Sequence, residues 1–559
     1  MRLLARISEA GEHIRTQVEE LRSLELIYEK ALHPELAYMF KHALTHDVAY
    51  ESVVLERRKS LHCSIGRVIE ELYADRLSEH YETLAHHYGR GEDWARALHY
   101  HELSSEKAAE AHANRATVQH CRAALAIADR LGASVTEDVR RRLNERIGRA
   151  CLYLSEYAAS AAAYEEASAH CEEAEPQALD LGLAAYSAVW GHRYDSGWRL
   201  IESTLTLSRS RRVPSAEALG LVVRGFYEGV HDQDVAAFER GQEEALKICG
   251  RHPNPAVEGL ATTHLVMAAE WGGAYEIARQ RAEKAIAIGR QLRLPELIIF
   301  PTWFLGKIFC CTGEYARALA LLQEALGLCE RIGDWAWRTR MLNTLGWCFA
   351  EIGATERARR YNEQAAAMAR QVGDPEILAN ADVNLAMNHL QLGSVDQALA
   401  YLEPIEAAVE RNADPWMRWR YIMHVRHARG LVELARGEPG RAMAVADEEL
   451  ERSRQQRAPK IESRAQSLRA AVLLRLEDRR EAAEALRDAL EISRRIGYRR
   501  GVWHAHRLLA ETLRRDGDSA KSAEHAARAH AAAEQAARSL DDEELRRSLL
   551  ASAAGEDRL

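Results

Sequence analysis

The sequence predicts an all-α solenoid of stacked helix pairs that repeats about every forty residues. Three observations carry this. Ala, Glu, Leu and Arg dominate the 559 residues, with 7% aromatics and only 12 prolines, a mix that favours helix over strand. Glycines stand at Gly273, Gly313, Gly353 and Gly393, each forty residues after the last, and further turns are expected near Gly437 and Gly517. Alanines keep the same step at Ala278, Ala318, Ala358 and Ala398, then at Ala442 and Ala482. A fixed period of this length is the signature of a repeat array, in which each unit buries its apolar face only against its neighbours.

From the N-terminus, the first 80 residues do not follow the ruler. Leu24 to Tyr28 and Ala37 to Phe40 are short apolar runs around His33-Pro34, a pattern that predicts a single small β-hairpin. Lys41 to Tyr50 then opens a helix, followed by Glu56-Arg57-Arg58-Lys59-Ser60-Leu61-His62. Degenerate repeat units are traceable from Ala85 to Ala97, from Gly148 to Ala167 and around Gly225 to Ala245. The array is expected over 81–540, as about eleven helix pairs, with a tail at 541–559.

Within a unit each residue type has a physical task. The glycine lies between two helical patterns, where a residue with positive φ ends one helix and lets the chain reverse. The alanine five residues later keeps the crossing of the two helices close, and Leu at Ala318 would overpack it by ~1–3 kcal/mol. Gly333-Asp334, Gly373-Asp374-Pro375 and Asp414-Pro415 mark the end of the second helix. Between Ala398 and Ala442 the step is 44, so one unit is a turn longer.

Composition excludes several classes. Charged residues are 28% and apolar residues 47%, which argues against a disordered chain. No stretch approaches 18 apolar residues, and the start MRLLARISEAGEHIR has no signal-peptide core, so a cytoplasmic location without membrane contact is expected. The net charge of −9 gives no global attraction to nucleic acid. The nine cysteines are odd in number and show no C-x-x-C, which reads as buried free thiols, the adjacent Cys310-Cys311 included.

Gly306, Phe309, Ala318 and Ala325 follow a small, aromatic, alanine, alanine pattern that resembles the tetratricopeptide repeat. The usual period is 34, so these helices are longer. The resemblance implies a right-handed superhelix whose first helices line a concave groove. In that register the groove carries Trp271, Lys307, Arg340, Asn343, Trp347, Asn380 and Met387, groups suited to a peptide or small ligand. A second resemblance rests on Phe40-Lys41-His42-Ala43-Leu44, Asp47, Ala49-Tyr50, Arg57-Arg58 and Leu61-His62. This phrase is similar to the junction between winged helix and repeats in bacterial STAND-type ATPases, modules found with class III adenylate/guanylate cyclases. Ser539 to Leu549 resembles the end of such proteins. The chain has no G-x-x-x-x-G-K-[ST] and no alternating strand-helix region, so neither a P-loop nor an ATPase sheet is expected in it.

Other chemistry is weakly signalled. His42 and His46, spaced i, i+4 beside Asp47, could ligate a metal, and His80, His86 and His87 invite the same thought, but the sequence supplies neither convergent geometry nor a third group and packing is the favoured reading. Residues 451–500 hold fourteen Lys/Arg against eight Asp/Glu; their interleaving suits a solvated helix face better than a nucleic-acid patch. The expectation is therefore a non-enzymatic scaffold without cofactor that binds a protein or peptide partner, as the sensor arm of a STAND ATPase-cyclase. The alternatives are a fragment of a longer cyclase and a nucleic-acid-binding repeat protein.

Overall fold

The computed structural model describes residues 2–8, 13–31, 37–411, 415 and 421–555. His33-Pro34 and Asp414, singled out above, lie outside them. The architecture is a TPR-like helical solenoid with one two-stranded sheet among the described residues. Strands Ile27–Ala31 and Ala37–Phe40 run antiparallel, with Tyr28 opposite Met39, and a bulge interrupts the ladder between Glu29 and Ala31.

The chain divides into two compact units: residues 1–151 with 162–172, and residues 152–161 with 173–559. In the first, helix Leu55–Leu72 receives helix Tyr81–Arg90 at Gly66. A Cβ there would lie 2.6 Å from Tyr88 Cζ, so the absent side chain is what seats the buried Tyr88 ring. Helices Trp94–Glu110 and Asn114–Leu131 follow, with Ala97, Cys121 and Ala124 fully buried between neighbours.

The second unit holds nine consecutive helix pairs among the described residues, from Ala174–Trp190 to Ser519–Ala537. Each first helix touches its partner and also the first helix of the next pair, whereas second helices make no comparable contact with one another. First helices therefore form the inner side. The expected alanines Ala278, Ala318, Ala358, Ala398, Ala442 and Ala482 are all at 0% exposure, at the crossings within pairs. The Gly-Asp markers do two jobs. Gly333 and Gly373 cap the preceding helix in left-handed conformation, while Asp334 and Asp374 begin the next by accepting backbone N–H bonds from Trp337 and from Glu376 and Ile377.

Candidate functional site

The superhelix of the second unit closes on itself. Trp271 Nε1 donates to the Gln456 carbonyl at 3.0 Å, and its ring packs with Met423, Ala458 and Ile461. Arg500 Nη1 donates to the carbonyls of Ala350 and Glu351, both at 2.7 Å. Ser539 Oγ, which donates to the Ala536 carbonyl at 2.8 Å, lies 3.2 Å from the Gly313 carbonyl. Arg357 pairs with Asp542 at 2.9 Å and Glu544 at 2.5 Å, docking the last helix, Glu543–Ala554. Later repeats thus rest on the C-terminal ends of earlier inner helices.

This closure surrounds a cavity of about 910 Å³ within the unit. Its lining obeys one rule. Ten residues before the positive-φ turn residues Gly313, Gly353, Gly393, Gly437, Glu477 and Gly517 stand Trp303, Asn343, Val383, His427, Ser467 and Arg507, and all six face the cavity. The positions six residues before the same turns also line it, because 10 and 6 differ by about one helical turn. One of those turns is Glu477, at φ 64°, which is why a glycine ruler misses it.

Six of the seven concave-face residues named from the sequence, Trp271, Lys307, Asn343, Trp347, Asn380 and Met387, line this cavity. Arg340 does not. It is buried beside Trp337 and ion-paired to Glu376, which also accepts the Tyr421 hydroxyl, so its charge is already matched. The reason is the packing of Trp190, Phe300 and Trp337 at that level, which fills the inner space.

The wall formed by helices Glu296–Thr312, Trp335–Ile352 and Pro375–Gln391 is rich in amides and indoles. Lys307 Nζ is 3.0 Å from Glu270 and sits over the Trp303 ring. Trp303 Nε1 donates to Thr344 Oγ1 at 2.5 Å, and Asn384 Nδ2 donates to Asn343 Oδ1 at 2.9 Å. Asn362 donates to Asn388 Oδ1 at 2.8 Å, which leaves the fully buried Asn388 Nδ2 without a partner among the described residues.

The wall opposite, from helices Ile422–Ala435, Pro459–Arg475 and Arg499–Arg515, carries His424, His427, Lys460, Arg464, His504 and Arg507. The sequence reading did not name them, because the 44-residue step and Glu477 hide the register. Lys460 Nζ lies 3.3 Å from Cys311 Sγ and 4.3 Å from the Trp347 ring centre. Burial disfavours its charge, but Cys311, Tyr498, Glu351 and Glu270 more than offset this and hold its pKa above the usual lysine value. His427 and His504 are held below the ordinary histidine pKa, first by burial, then by Arg464 beside His427 and by Arg507 and Arg500 beside His504. Cys310 and Cys311 are buried free thiols pushed up by desolvation, hence poor nucleophiles.

The junction phrase forms a packed relay in the first unit. Phe40 meets His46 edge-on, and His46 stacks on Tyr50. Tyr50 Oη is 3.0 Å from His62 Nε2, His62 Nδ1 is 2.8 Å from His87 Nδ1, and Arg58 lies over Tyr50. Burial lowers the His87 pKa to about 4. Lys41, His42, Asp47 and Arg57 are exposed. His42 precedes helix Ala43–Ser52 in extended conformation, so it does not share a helical face with His46 as the spacing suggested. No group of three metal-ligating side chains occurs among the described residues, and no helix there is long and apolar enough to cross a membrane.

Comparison with known proteins places this geometry in a class. Residues 299–371 match the tetratricopeptide repeat. The chain is 25% identical over 139 residues to outer dynein arm-docking complex subunit 4 of Homo sapiens, a match covering 25% of this chain and 20% of that protein. The Xenopus laevis counterpart matches at 25% over 131 residues, 23% of this chain and 24% of that protein. The matched stretch thus spans a quarter or less of either relative. Among solved structures, a Rap protein complexed with Competence and Sporulation Factor superposes with a TM-score of 0.51 and 14% identity, over 64% of this chain and 98% of that one. A STAND protein with a tetratricopeptide repeat sensor from Pyrococcus horikoshii aligns at 13% identity and a TM-score of 0.39, over 79% of this chain and 58% of that one. The class is therefore a TPR-like repeat scaffold.

Proposed function

We propose that the chain is a non-catalytic scaffold that binds a protein segment inside the second unit and acts as the sensor arm of a STAND-type ATPase, of the kind associated with adenylate/guanylate cyclases. The observation that carries the binding half is the inner cavity, which stays partly open to solvent. Its volume, about 910 Å³, lies within the usual range of ligand sites. It is lined by indoles and amides, with Asn388 Nδ2 buried and without a partner among the described residues. Such groups match the alternating donors and acceptors of a peptide backbone. Occupancy favours the closed superhelix over open forms, and that difference shifts the equilibrium of whatever the arm is joined to.

The signalling half rests on the junction phrase. Tyr50, Arg58 and His62 hold it against the first repeat, while Leu44, Val48, Val54 and Leu55 remain exposed, an apolar surface of the type that contacts another module. Affinity isolation of the tagged chain from its own cell, followed by mass spectrometry, tests this. Recovery of a P-loop ATPase that disappears with Leu44→Asp and Val48→Asp is expected. An ATPase retained equally by that variant, or a preparation without one, overturns the sensor-arm reading.

A further inference from the structure

We infer that the segment bound in the second unit is acidic, with its carboxylates against the wall of helices Pro459–Arg475 and Arg499–Arg515 and its backbone against Asn343, Asn380 and Asn384. This deepens the peptide reading and rests on it. The cavity is lined by seven Lys and Arg side chains, Lys307, Lys460, Arg464, Arg475, Arg500, Arg507 and Arg515, against three glutamates, Glu270, Glu351 and Glu511. The chain as a whole is the reverse, with net charge −9, so the cationic surplus is a property of this site.

The charges are also divided between the walls. Lys307 is matched by Glu270 at 3.0 Å and Arg515 by Glu511 at 2.5 Å. Arg464 is different. On the same helix, Arg469 faces outward and reaches Asp447 at 3.3 Å and Glu481 at 3.6 Å. Arg464 faces the cavity and has no carboxylate within 4.0 Å among the described residues, nor does Lys460. Arg464 stands thirteen residues before its turn residue, the place held by Asn380, His424 and His504 in other pairs. Cations gathered around one concave space repel one another, and low-dielectric walls concentrate their field. Burial first, then Arg464 beside His427 and Arg507 and Arg500 beside His504, holds both histidines below the ordinary histidine pKa. A carboxylate entering there relieves the repulsion and accepts charge-assisted hydrogen bonds from the guanidinium fork. The facing wall offers the asparagine amides of Asn343, Asn380 and Asn384, which suit uncharged backbone groups, and Glu351 is the one carboxylate among the described residues of its three helices that lines the cavity.

The test is affinity selection of a random hexapeptide library on the purified full chain, followed by anisotropy titration of the selected peptides. Enrichment of Asp- and Glu-containing peptides is expected. Arg464→Glu weakens them by about tenfold or more, the size of one hydrogen bond to a charged group. Arg464→Gln weakens them less, Arg469→Gln leaves them unchanged, and circular dichroism melting shows each variant folded. Enrichment of neutral or basic peptides, or acidic peptides indifferent to Arg464→Glu, overturns the charge assignment and leaves the peptide reading standing. No enrichment of any peptide overturns both. Binding of an oligothymidylate that Arg464→Glu abolishes, with no peptide selected, assigns the wall to nucleic acid and also overturns the proposal.

Discussion

The turns of the early repeats and those of the later repeats perform the same backbone task with different residues. Glu92, His112, Ser155 and His192 reverse the chain at φ between 54° and 58°, while Gly273, Gly313, Gly353 and Gly393 do so between 74° and 85°. A side chain in the left-handed region costs ~1 kcal/mol or more, and glycine does not incur it. The difference shows that a visible glycine ruler and a geometric repeat are separate things: the repeat extends well beyond the glycines that reveal it. It also shows a second reason for glycine. A Cβ on Gly353 would lie 2.7 Å from Ser552 Cβ and 2.9 Å from the Ser548 carbonyl of the last helix, whereas one on Gly373 would meet nothing within 4 Å.

Gly353→Ala breaks that contrast most sharply. Strain and collision combine, and a loss of about 2–4 kcal/mol is expected. Hydrogen exchange should accelerate in helix Glu543–Ala554, since that helix must move. Exchange unchanged in this helix, with a melting loss no larger than for Gly373→Ala, would show that closure does not depend on the turn.

His264 sharpens it next. It lies forty residues before Phe304, fully buried against Phe226, and neither ring nitrogen has a hydrogen-bond partner among the described residues. Burial lowers its pKa to about 3, below its ordinary value of 6.5, so the folded state binds fewer protons than the unfolded one. Its contribution is complete above pH 6.5 and is lost as pH falls toward 3. His264→Phe should add about 1–3 kcal/mol at neutral pH by removing an unsatisfied polar group. It should also flatten the acid limb of stability between pH 6.5 and 3. An unchanged acid limb in urea titrations would refute this.

Smaller effects follow from the turns themselves. Gly373→Ala, with open space around it, should cost ~1 kcal/mol from φ alone. His112→Gly should stabilise by about 0.5–1 kcal/mol in the opposite sense, since the same strain is removed. Equal and small changes in both would place the strain elsewhere. Last, Arg357→Ala removes the ion pairs to Asp542 and Glu544; these are partly exposed, so about 1 kcal/mol or less is expected, weaker still at high salt.

Much of the inner surface was legible because the inner face repeats with the helix period. Once Gly313 and Gly353 set the register, Lys307, Asn343 and Trp347 fall on one side. Arg340 obeys the same register yet leaves the cavity, since only packing against Trp190 and Phe300 shows that its level is filled. Lys460, Arg464 and His504 were hidden by the longer unit after Ala398 and by the turn at Glu477. The basic excess in residues 451–500 was visible, but a count of charges does not say which face they occupy. Arg469 pairs outward with Asp447 and Glu481, while Arg464, five residues earlier, turns inward.

The amino-acid sequence by itself determines the helices, their pairing and the small residues at each crossing, because these depend on local φ preferences and on contacts between neighbours in the chain. The hairpin before the repeats and the seating of Tyr50 near His62 belong to the same short-range level. Only the tertiary structure decides that the array closes. Trp271 meets Gln456 across 185 positions, and Arg357 meets Asp542 across the same separation. Such contacts depend on small rotations accumulated over many repeats. No local pattern records that sum, and it is what turns an open groove into a cavity with one amide wall and one cationic wall.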